Sequence, residues 1–338
     1  MNKEVFAHCR LAVPGWSSLS QEDFDFADPK GFSSFTMGVR ARVAADPSGV
    51  FYRRLAGKEN AILDADLEKE IYLLLSEERL AARCLHYAED FRVEALYQGR
   101  TLTGEDVFKP EVLRGIAEQL HGFHALQPRR LPNSSFFELL HEKWGAQARE
   151  VVEGARESFP EDERLLCDEL REIYSEETRR KVARMLPTGP LRFCHNDTYH
   201  GNVMRLDGGD IRLLDFEFSC LNHQAFDFAN LFAETVMEHG RSEPPHFRIA
   251  EPRFGDAEIG CLVDAYLDQD AKLGSAERSA ERERLMQDTR DLIPLSDYMY
   301  AMAALPLAVE PIQKIRFIPY AHQRFGRFLS AYRSRFEP

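Results

Sequence analysis

The sequence predicts an α+β fold, with strand-like segments early in the chain and helix-like segments later. Its 338 residues can bury one large hydrophobic core or two modest ones. Bulky side chains alternate along residues 50–55, as in a half-buried strand, and residues 91–102 are also strand-like. By contrast, residues 150–184 and 274–290 are charge-rich and typical of solvated helical faces. We therefore expect strands in the early part of the chain and helices in its later part.

Composition and charge narrow the possible functions. The formal charge of −13 argues against a nucleic-acid partner, because nucleic-acid phosphates need a basic surface. The same negative field would concentrate a cationic ligand at a cleft. The most apolar stretch, residues 298–309, is too short to span a membrane and contains Pro306, so we expect no stable membrane insertion. The six cysteines include no C-x-x-C pair, which favours reduced thiols and a cytoplasmic location.

A segment that contains candidate catalytic residues begins near the middle of the chain. Residues 191–194 are mostly bulky and end where polar residues begin, which predicts a strand that delivers Asp197 onto a loop. A carboxylate on such a loop can orient and deprotonate a hydroxyl group. Residues 207–210 read Asp-Gly-Gly-Asp, which predicts a hairpin turn between the two strands that follow Asp197.

The predicted hairpin would bring two potential metal ligands together. If Leu206 pairs with Ile211, Asn202 lies directly opposite Asp215, and facing residues on antiparallel strands are about 4.5–5.5 Å apart. Two oxygen ligands at that separation can hold magnesium on ATP phosphates. Glu217 follows Asp215 by two residues, so in an extended segment both carboxylates point to the same side. This arrangement predicts ATP- and Mg²⁺-dependent phosphoryl transfer, with one or two magnesium ions.

The same residues resemble a known family. Residues 193–197, 201–202 and 214–218 are similar to the two signature blocks of the choline/ethanolamine kinase family, and residues 222–234 resemble its third block. This family belongs to the wider aminoglycoside-phosphotransferase and protein-kinase-like superfamily. Antibiotic phosphotransferases and protein kinases usually carry glycine where Glu217 stands, which favours the choline/ethanolamine branch. The resemblance implies a bilobal protein-kinase-like fold, with an antiparallel sheet in an ATP-binding lobe at residues 1–98 and a catalytic lobe at 99–338.

Roles for the central residues follow from the resemblance. It implies Asp197 as the catalytic base, Asn202 and Asp215 as catalytic magnesium ligands, and Glu217 as a further acidic contact near the metal. It also implies structural roles for two residues of these blocks, His195 and Asp227, with Asp227 hydrogen-bonded to the catalytic loop. From its position alone, Asp227 is equally an ordinary aspartate near a helix N-terminus.

The resemblance to the family's nucleotide site is weaker. Ser33 and Ser34 lie where the family has its phosphate-covering loop, whose hydroxyls and backbone N–H groups can cradle phosphate. Arg53 matches the basic residue that contacts ATP phosphates, although its neighbour Arg54 is an alternative. Glu70 is placed on a predicted helix to pair with the strand arginine.

Two further segments, residues 95–97 and 116–124, also resemble the family. By resemblance, the backbone from Ala95 to Tyr97 would meet the adenine edge, and residues 116–124 form the helix that opens the larger lobe. In that helix His121 and His124 lie three residues apart, as metal-binding pairs sometimes do. Because no third ligand motif follows, we expect packing or exposure for both histidines instead.

The acceptor site departs most from the family pattern. Choline carries a quaternary ammonium that aromatic faces recognise, and the family usually offers two tryptophans three residues apart. Here Tyr300 can replace one ring but Ala303 cannot replace the other, and Thr235 stands where another tryptophan is expected. Glu234 could accept hydrogen bonds from ethanolamine, whose primary ammonium has N–H donors. The residues predicted to contact the acceptor are Glu234, Tyr300, Phe317 and Tyr320.

The predicted function is therefore ATP-dependent phosphorylation of a small amino alcohol, ethanolamine or choline, as the first step of phospholipid head-group synthesis. The alternatives are a kinase of another hydroxylated amine or an aminoglycoside-type acceptor, and a nucleotide-binding pseudokinase. A homodimer is an alternative to a monomer.

Overall fold

The strand-rich and helix-rich parts of the chain form two separate structural units. The computed structural model describes residues 1–28, 35–55, 63–309 and 315–337. One unit contains Met1–Arg100 together with Leu206–Gly208, and the other contains Thr101–Arg205 and Gly209–Pro338. No helix within the described residues is both long enough and apolar enough to cross a membrane.

The first unit is built on a five-stranded sheet. The strand order is β1-β2-β3-β5-β4, and all neighbouring strands are antiparallel. The strands are β1 (Phe24–Phe26), β2 (Thr36–Ala41), β3 (Gly49–Arg54), β4 (Cys84–Tyr87) and β5 (Phe91–Ala95). Two helices accompany them, α1 (Asn2–Ala12) and α2 (Ala65–Glu77).

Side-chain alternation gives this sheet an apolar face and a charged face. Val50 and Tyr52 of β3 belong to the hydrophobic core that also contains Val5 of α1. Arg53 follows Tyr52 in the strand and faces the opposite way, where it is register partner of Arg92 on β5. The sheet therefore buries apolar residues against α1 and carries charged residues on its other face.

The second unit is mainly helical. Its helices are α3 (Pro110–His124), α4 (Phe136–Arg149), α5 (Glu161–Leu170), α6 (Glu176–Met185), α7 (Ala225–Ala233), α8 (Asp256–Leu267), α9 (Ser275–Leu307) and α10 (Phe317–Phe336). The 33-residue helix α9 packs against α4, α7, α8 and α10. Every residue of α7 is buried, as expected for a helix that is apolar on all sides.

Short strands position the loops of this unit. The short strands that follow β5 are β6 (Gly99–Thr101), β7 (Arg192–Cys194), β8 (Val203–Leu206), β9 (Ile211–Leu213), β10 (Cys220–Asn222), β11 (Met237–His239) and β12 (Phe247–Ile249). Of these, β6 begins in the first unit and β8 ends in it. Strand β7 pairs with β10, β8 with β9, and β11 with β12, all antiparallel. Cys194 pairs with Cys220 at the end of the β7–β10 ladder, next to the loop that carries Asp197.

The register of the β8–β9 hairpin corrects one prediction. Arg205, not Leu206, pairs with Ile211, so the connection holds five residues instead of four. Gly209 in this connection has a φ of +95°, a left-handed conformation that glycine adopts without strain. The one-residue shift places Asn202 opposite Leu214, whose N–H donates to the Asn202 carbonyl oxygen at 2.8 Å. The expected direct pairing of Asn202 with Asp215 is therefore wrong.

Candidate active site

One buried carboxylate anchors the loop that follows β7. The backbone N–H groups of His195 and Asn196 donate to Asp227 Oδ2 and Oδ1, at 2.9 and 2.7 Å. Asp227 lies in the first turn of α7, and Thr198 donates its hydroxyl to the Asp227 carbonyl oxygen. Because α7 is buried throughout, these contacts fix the loop to the centre of the helical unit.

His124, for which the sequence predicted packing or exposure, is buried and orients this carboxylate. His124 is 4% exposed, its Nε2 lies 2.9 Å from Asp227 Oδ2, and its Nδ1 lies 3.0 Å from the Tyr266 hydroxyl. The side chains of His124, Cys194 and Asp227 approach within 4.8 Å of one another, as metal ligands sometimes do. Both Asp227 oxygens already accept loop hydrogen bonds, however, so the contacts of this cluster serve to orient the loop.

His195 links the two chain segments that carry the predicted catalytic acids. Its Nδ1 accepts from the Asp197 N–H at 3.2 Å, so its Nε2 carries the proton and donates to the Leu214 carbonyl oxygen at 2.9 Å. Burial lowers the pKa of His195, which keeps the ring neutral. The side chain therefore acts as a fixed spacer between Asp197 and the residue before Asp215.

Asp197 is held by two donors. Asn202 Nδ2 donates to Asp197 Oδ2 at 2.7 Å, and the Tyr300 hydroxyl donates to Asp197 Oδ1. Asp197 is 8% exposed, and burial raises its pKa well above the ordinary aspartate value. The Tyr300 hydrogen bond opposes that shift, whereas the negative charges of Asp215, Glu217 and Glu234 add to it. Four acidic groups thus interact in one region of the second unit.

A turn, not an extended strand, brings Asp215 and Glu217 to this region. Strand β9 ends at Leu213, Asp215 has a φ of +62°, and the Ser219 N–H donates to the Phe216 carbonyl oxygen at 3.1 Å. The prediction that both carboxylates extend from one strand face is therefore wrong. A non-glycine residue in the left-handed region is uncommon, and such conformations cluster at functional sites. Both carboxylates nevertheless act on the pKa of Asp197.

Three of the four predicted acceptor residues lie around Arg324, which the sequence did not single out. Glu234 is 2% exposed and accepts from Arg324 Nη2 and from the Ser296 hydroxyl, the latter at 3.3 Å. The Arg324 guanidinium carbon lies 5.0 Å from the ring centre of Tyr300 and 5.7 Å from that of Tyr320. No ring or ionic contact within the described residues joins Phe317 to this cluster. A helical signal existed, since Arg324 follows Tyr320 by one turn of α10.

In the first unit, the two neighbouring arginines of β3 have different surroundings. Arg54 donates to Glu4 of α1 at 2.9 Å and lies 5.1 Å from the Phe35 ring centre. Arg53 is 8% exposed on the opposite face, beside Arg92. Arg92 donates to Glu94 at 2.6 Å, a buried ion pair that the sequence analysis did not identify. Arg54 is thus engaged in its ion pair with Glu4 of α1, and Arg53 stays the candidate for contact with phosphate.

The other predicted nucleotide residues also belong to this unit. Glu70 is half-buried on α2. Ala95 ends β5 and donates its N–H to the Arg83 carbonyl oxygen at 2.9 Å, and Tyr97 follows in the connection to β6. Ser33 and Ser34 lie outside the described residues.

Comparison with known proteins identifies the family. The sequence model of the choline/ethanolamine kinase family matches residues 35–329. The chain belongs to the choline/ethanolamine kinase family. It is 21% identical to choline kinase alpha from Mus musculus, over 96% of this chain and 80% of that protein.

Solved structures share the fold of this family member. A choline kinase from Cryptosporidium parvum has a TM-score of 0.80 at 17% identity, over 100% of this chain and 97% of that one. An ethanolamine kinase from Plasmodium vivax has a TM-score of 0.72 at 19% identity, over 97% and 90%. The predicted kinase-like fold is confirmed, with an antiparallel sheet in its N-terminal region and a mainly helical C-terminal region. The predicted activity class, a phosphotransferase with an alcohol acceptor, is also confirmed.

Proposed function

We propose that this choline/ethanolamine kinase family member transfers the γ-phosphoryl group of ATP to the hydroxyl of ethanolamine or choline. The observation that carries the proposal is the buried Asp197 carboxylate, which Asn202 and Tyr300 hold beside further acidic groups. Family membership favours an amino alcohol over an aminoglycoside as the acceptor. A pseudokinase is disfavoured because Asp197, Asn202 and Asp215 are all present.

The chemistry assigned to this chain is orientation and proton transfer by Asp197. As the acceptor oxygen forms its bond to the γ-phosphorus, the bond from phosphorus to the ADP oxygen breaks, and Asp197 accepts the hydroxyl proton. A raised pKa makes that carboxylate a stronger base than an exposed aspartate. Positioned acid–base groups contribute typically about 10²–10⁴-fold to a rate. Asn202 and Tyr300 keep both carboxylate oxygens in a defined orientation.

The acidic groups fit a divalent cation. The amide nitrogen of Asn202 is used by Asp197, which leaves its oxygen as a possible ligand beside the carboxylates of Asp215 and Glu217. These carboxylates interact unfavourably with Asp197, and magnesium, which prefers oxygen ligands, would relieve the repulsion. We propose Asn202, Asp215 and Glu217 as its ligands. Bound magnesium neutralises charge on the transferring phosphates.

For the nucleotide, we propose that Arg53 contacts phosphate with Glu70 as its partner. We further propose that Ser33 and Ser34 cover phosphate and that the backbone of Ala95 and Tyr97 meets adenine. The structural roles of His195 and Asp227 rest on their hydrogen bonds to the loop of Asp197. The cytoplasmic location and the homodimer stay predictions.

A coupled ADP-release assay tests this function. Purified protein would be supplied with ATP and Mg²⁺ and offered ethanolamine, choline or an aminoglycoside. We expect turnover with at least one of the two amino alcohols and loss of turnover when EDTA removes the metal. Asp197→Asn is the matched control, because it keeps the side-chain shape and should fold while turnover falls at least about 100-fold. Absence of amino-alcohol turnover, or near-parental activity of Asp197→Asn, would contradict the proposal.

A further inference from the structure

A buried ion pair lies on the charged face of the five-stranded sheet, beside the arginine proposed to contact phosphate. Arg92 and Glu94 are two residues apart on β5, so both side chains leave the same face of the sheet. Arg92 Nε donates to Glu94 Oε1 at 2.6 Å, and the two residues are 4% and 8% exposed. Because both charges have lost most of their hydration, each depends on its partner for compensation.

Aromatic rings fix the position of Arg92. Its guanidinium carbon lies 3.6 Å from the ring centre of Tyr72 on α2 and 5.7 Å from that of Tyr87 on β4. The Tyr72 hydroxyl donates to the Ala82 carbonyl oxygen at 2.9 Å, so this ring is itself anchored. A planar guanidinium that stacks on an aromatic ring has a restricted orientation. The rings therefore hold Arg92, and Arg92 in turn holds the Glu94 carboxylate.

The strand register gives Glu94 a second arginine neighbour. Arg53 of β3 lies directly opposite Arg92, and Phe51 lies directly opposite Glu94. Glu94 is therefore a diagonal neighbour of Arg53 on the same face, at about 7–8 Å, a separation that long side chains can span. Phe51 and Cys84, the register partners of Glu94 on β3 and β4, carry no cationic group. If Arg92 were absent, the register would thus direct the Glu94 carboxylate to Arg53.

We propose that Arg92 is a positioning residue that keeps Glu94 away from Arg53, so that Glu94 does not neutralise the cation that contacts ATP phosphate. This inference rests on the proposed function and on the role of Arg53 within it. A carboxylate paired with Arg53 would compete with a phosphate oxygen for the same N–H donors and would repel the phosphate by its charge. Arg92 acts through Glu94 and is assigned no contact with the nucleotide.

The test compares KM for ATP between variants, measured by ADP release at saturating amino alcohol. Arg92→Met removes the cation and leaves Glu94 to pair with Arg53, so KM for ATP should rise at least about tenfold, as when a charged group loses one hydrogen bond. KM for the amino alcohol should change by less than about threefold, because this variant leaves the predicted acceptor residues unchanged. The double variant Arg92→Met with Glu94→Gln also removes the competing carboxylate, and KM for ATP should return to within about threefold of the parent value.

Further variants separate positioning from structure. Arg42→Met is the matched control: it breaks another arginine–carboxylate pair of the same unit, with Asp25 at 2.6 Å, and should leave KM for ATP unchanged because Arg42 is 59% exposed. Thermal unfolding checks that each variant is folded. If Arg92→Met does not fold, Arg92→Gln is the milder change, and the loss of charge should still raise KM for ATP at least about threefold. If the double variant does not fold, Arg92→Lys takes its place, because it keeps a cation for Glu94 and should keep KM for ATP within about threefold of the parent value.

The possible outcomes distinguish this inference from the function on which it rests. A parental KM for ATP in the folded methionine or glutamine variant shows that Glu94 does not reach Arg53 and overturns the inference alone. A KM for ATP that stays raised in the folded double variant or the lysine variant shows that Arg92 acts by packing or by direct contact, with the same consequence. An unchanged KM for ATP in Arg53→Met removes the proposed phosphate contact and the inference with it. Turnover of neither ethanolamine nor choline by the parent protein overturns the proposed function as a whole.

Discussion

At the scale of single residues, Asp227 determines where the loop that carries Asp197 lies. Its two oxygens accept from consecutive backbone N–H groups, those of His195 and Asn196, and His124 Nε2 lies 2.9 Å from Oδ2. From sequence alone, Asp227 was equally an ordinary residue of a first helical turn. The side chain does not cap its own helix, since its hydrogen bonds run to a loop about 30 residues earlier in the chain.

Substitution of this residue should damage stability and activity together. Asp227→Asn replaces one acceptor oxygen by an NH₂ group, which faces a buried N–H donor. We expect a loss of about 2–4 kcal/mol in the free energy of unfolding, measured in urea, because a buried polar group loses its partner. Turnover should fall in the remaining folded protein because Asp197 is displaced. Asp256→Asn is the control: Asp256 is also in a first helical turn, but its side chain is 73% exposed and pairs with Arg290. Equal effects of the two variants would contradict the anchoring role.

A half-buried histidine, His223, contributes to how the stability of the folded protein changes with pH. Burial lowers the pKa of His223 below its ordinary value of 6.5, and the nearby Arg284 lowers it further. As pH falls below about 6.5, the unfolded chain therefore takes up a proton that the folded protein resists, and stability is lost. Stability should thus rise with pH across the interval from the lowered pKa up to 6.5. His223→Gln should make this rise shallower when urea unfolding is measured from pH 5 to 7.5. An unchanged slope would show that His223 does not contribute.

At the scale of secondary structure, the β8–β9 hairpin shows what the sequence could and could not predict. The turn residues and the two short strands were predictable from local composition, because Asp and Gly favour turns and bulky residues favour strands. The register of β8 and β9 was not predictable, because a four-residue and a five-residue connection use the same residues and differ only in backbone conformation. The left-handed φ of Asp215 likewise has no local signature, and it moves this carboxylate out of the strand.

Contacts between elements that are distant in sequence were likewise not predictable, as the predicted acceptor residues show. Glu234 lies on the 3₁₀ turn after α7, and Arg324 lies 90 residues later on α10. The sequence offered Glu234 as a candidate acceptor residue, but it did not indicate that Glu234 would pair with Arg324. Tyr300 was predicted as an aromatic contact for the substrate, whereas its hydrogen bond to Asp197 depends on how α9 packs against α7.

The packing of α3 on β9 gives a prediction at this scale. A Cβ atom on Gly115 would lie 2.5 Å from Ile211 Cγ1, so Gly115→Ala must shift the Ile211 side chain or the backbone of α3 or β9. We expect a loss of about 1–3 kcal/mol in unfolding free energy, as for other overpacked cores. Turnover should also fall, because β9 leads to Asp215. Gly326→Ala on α10 is the matched control, since an added Cβ there would meet nothing within 4 Å and alanine favours helix by about 0.5–1 kcal/mol. A Gly115→Ala protein as stable as the parent would show that the contact relaxes without cost.

At the scale of the whole molecule, the predicted site residues are divided unevenly between the two units. The predicted base, the proposed metal ligands and the predicted acceptor residues all belong to the helical unit. The residues proposed to bind nucleotide, Arg53, Glu70, Ala95 and Tyr97, belong to the sheet unit. The fold class was predictable because each unit has its own local periodicity, with alternation in the sheet and helical spacing elsewhere. All six cysteines are free thiols in the structure, and the reduced state expected from the sequence stays a prediction.

Thiol accessibility tests the packing of both units in one measurement. Cys9, Cys167, Cys194 and Cys220 are buried, and Cys84 and Cys261 are half-buried. Burial raises the pKa of Cys9 to about 12 and that of Cys167 to about 11, so their thiolate fractions stay very small at pH 8. We expect at most two of the six thiols to react readily with a disulfide reagent in the native protein, and all six in denaturant. Cys261→Ser and Cys84→Ser should each remove one native equivalent. Cys84 should react more slowly than Cys261, because burial raises the Cys84 pKa. Rapid labelling of a third thiol in the native protein would mean that the interior of one of the two units opens far more readily than its packing indicates.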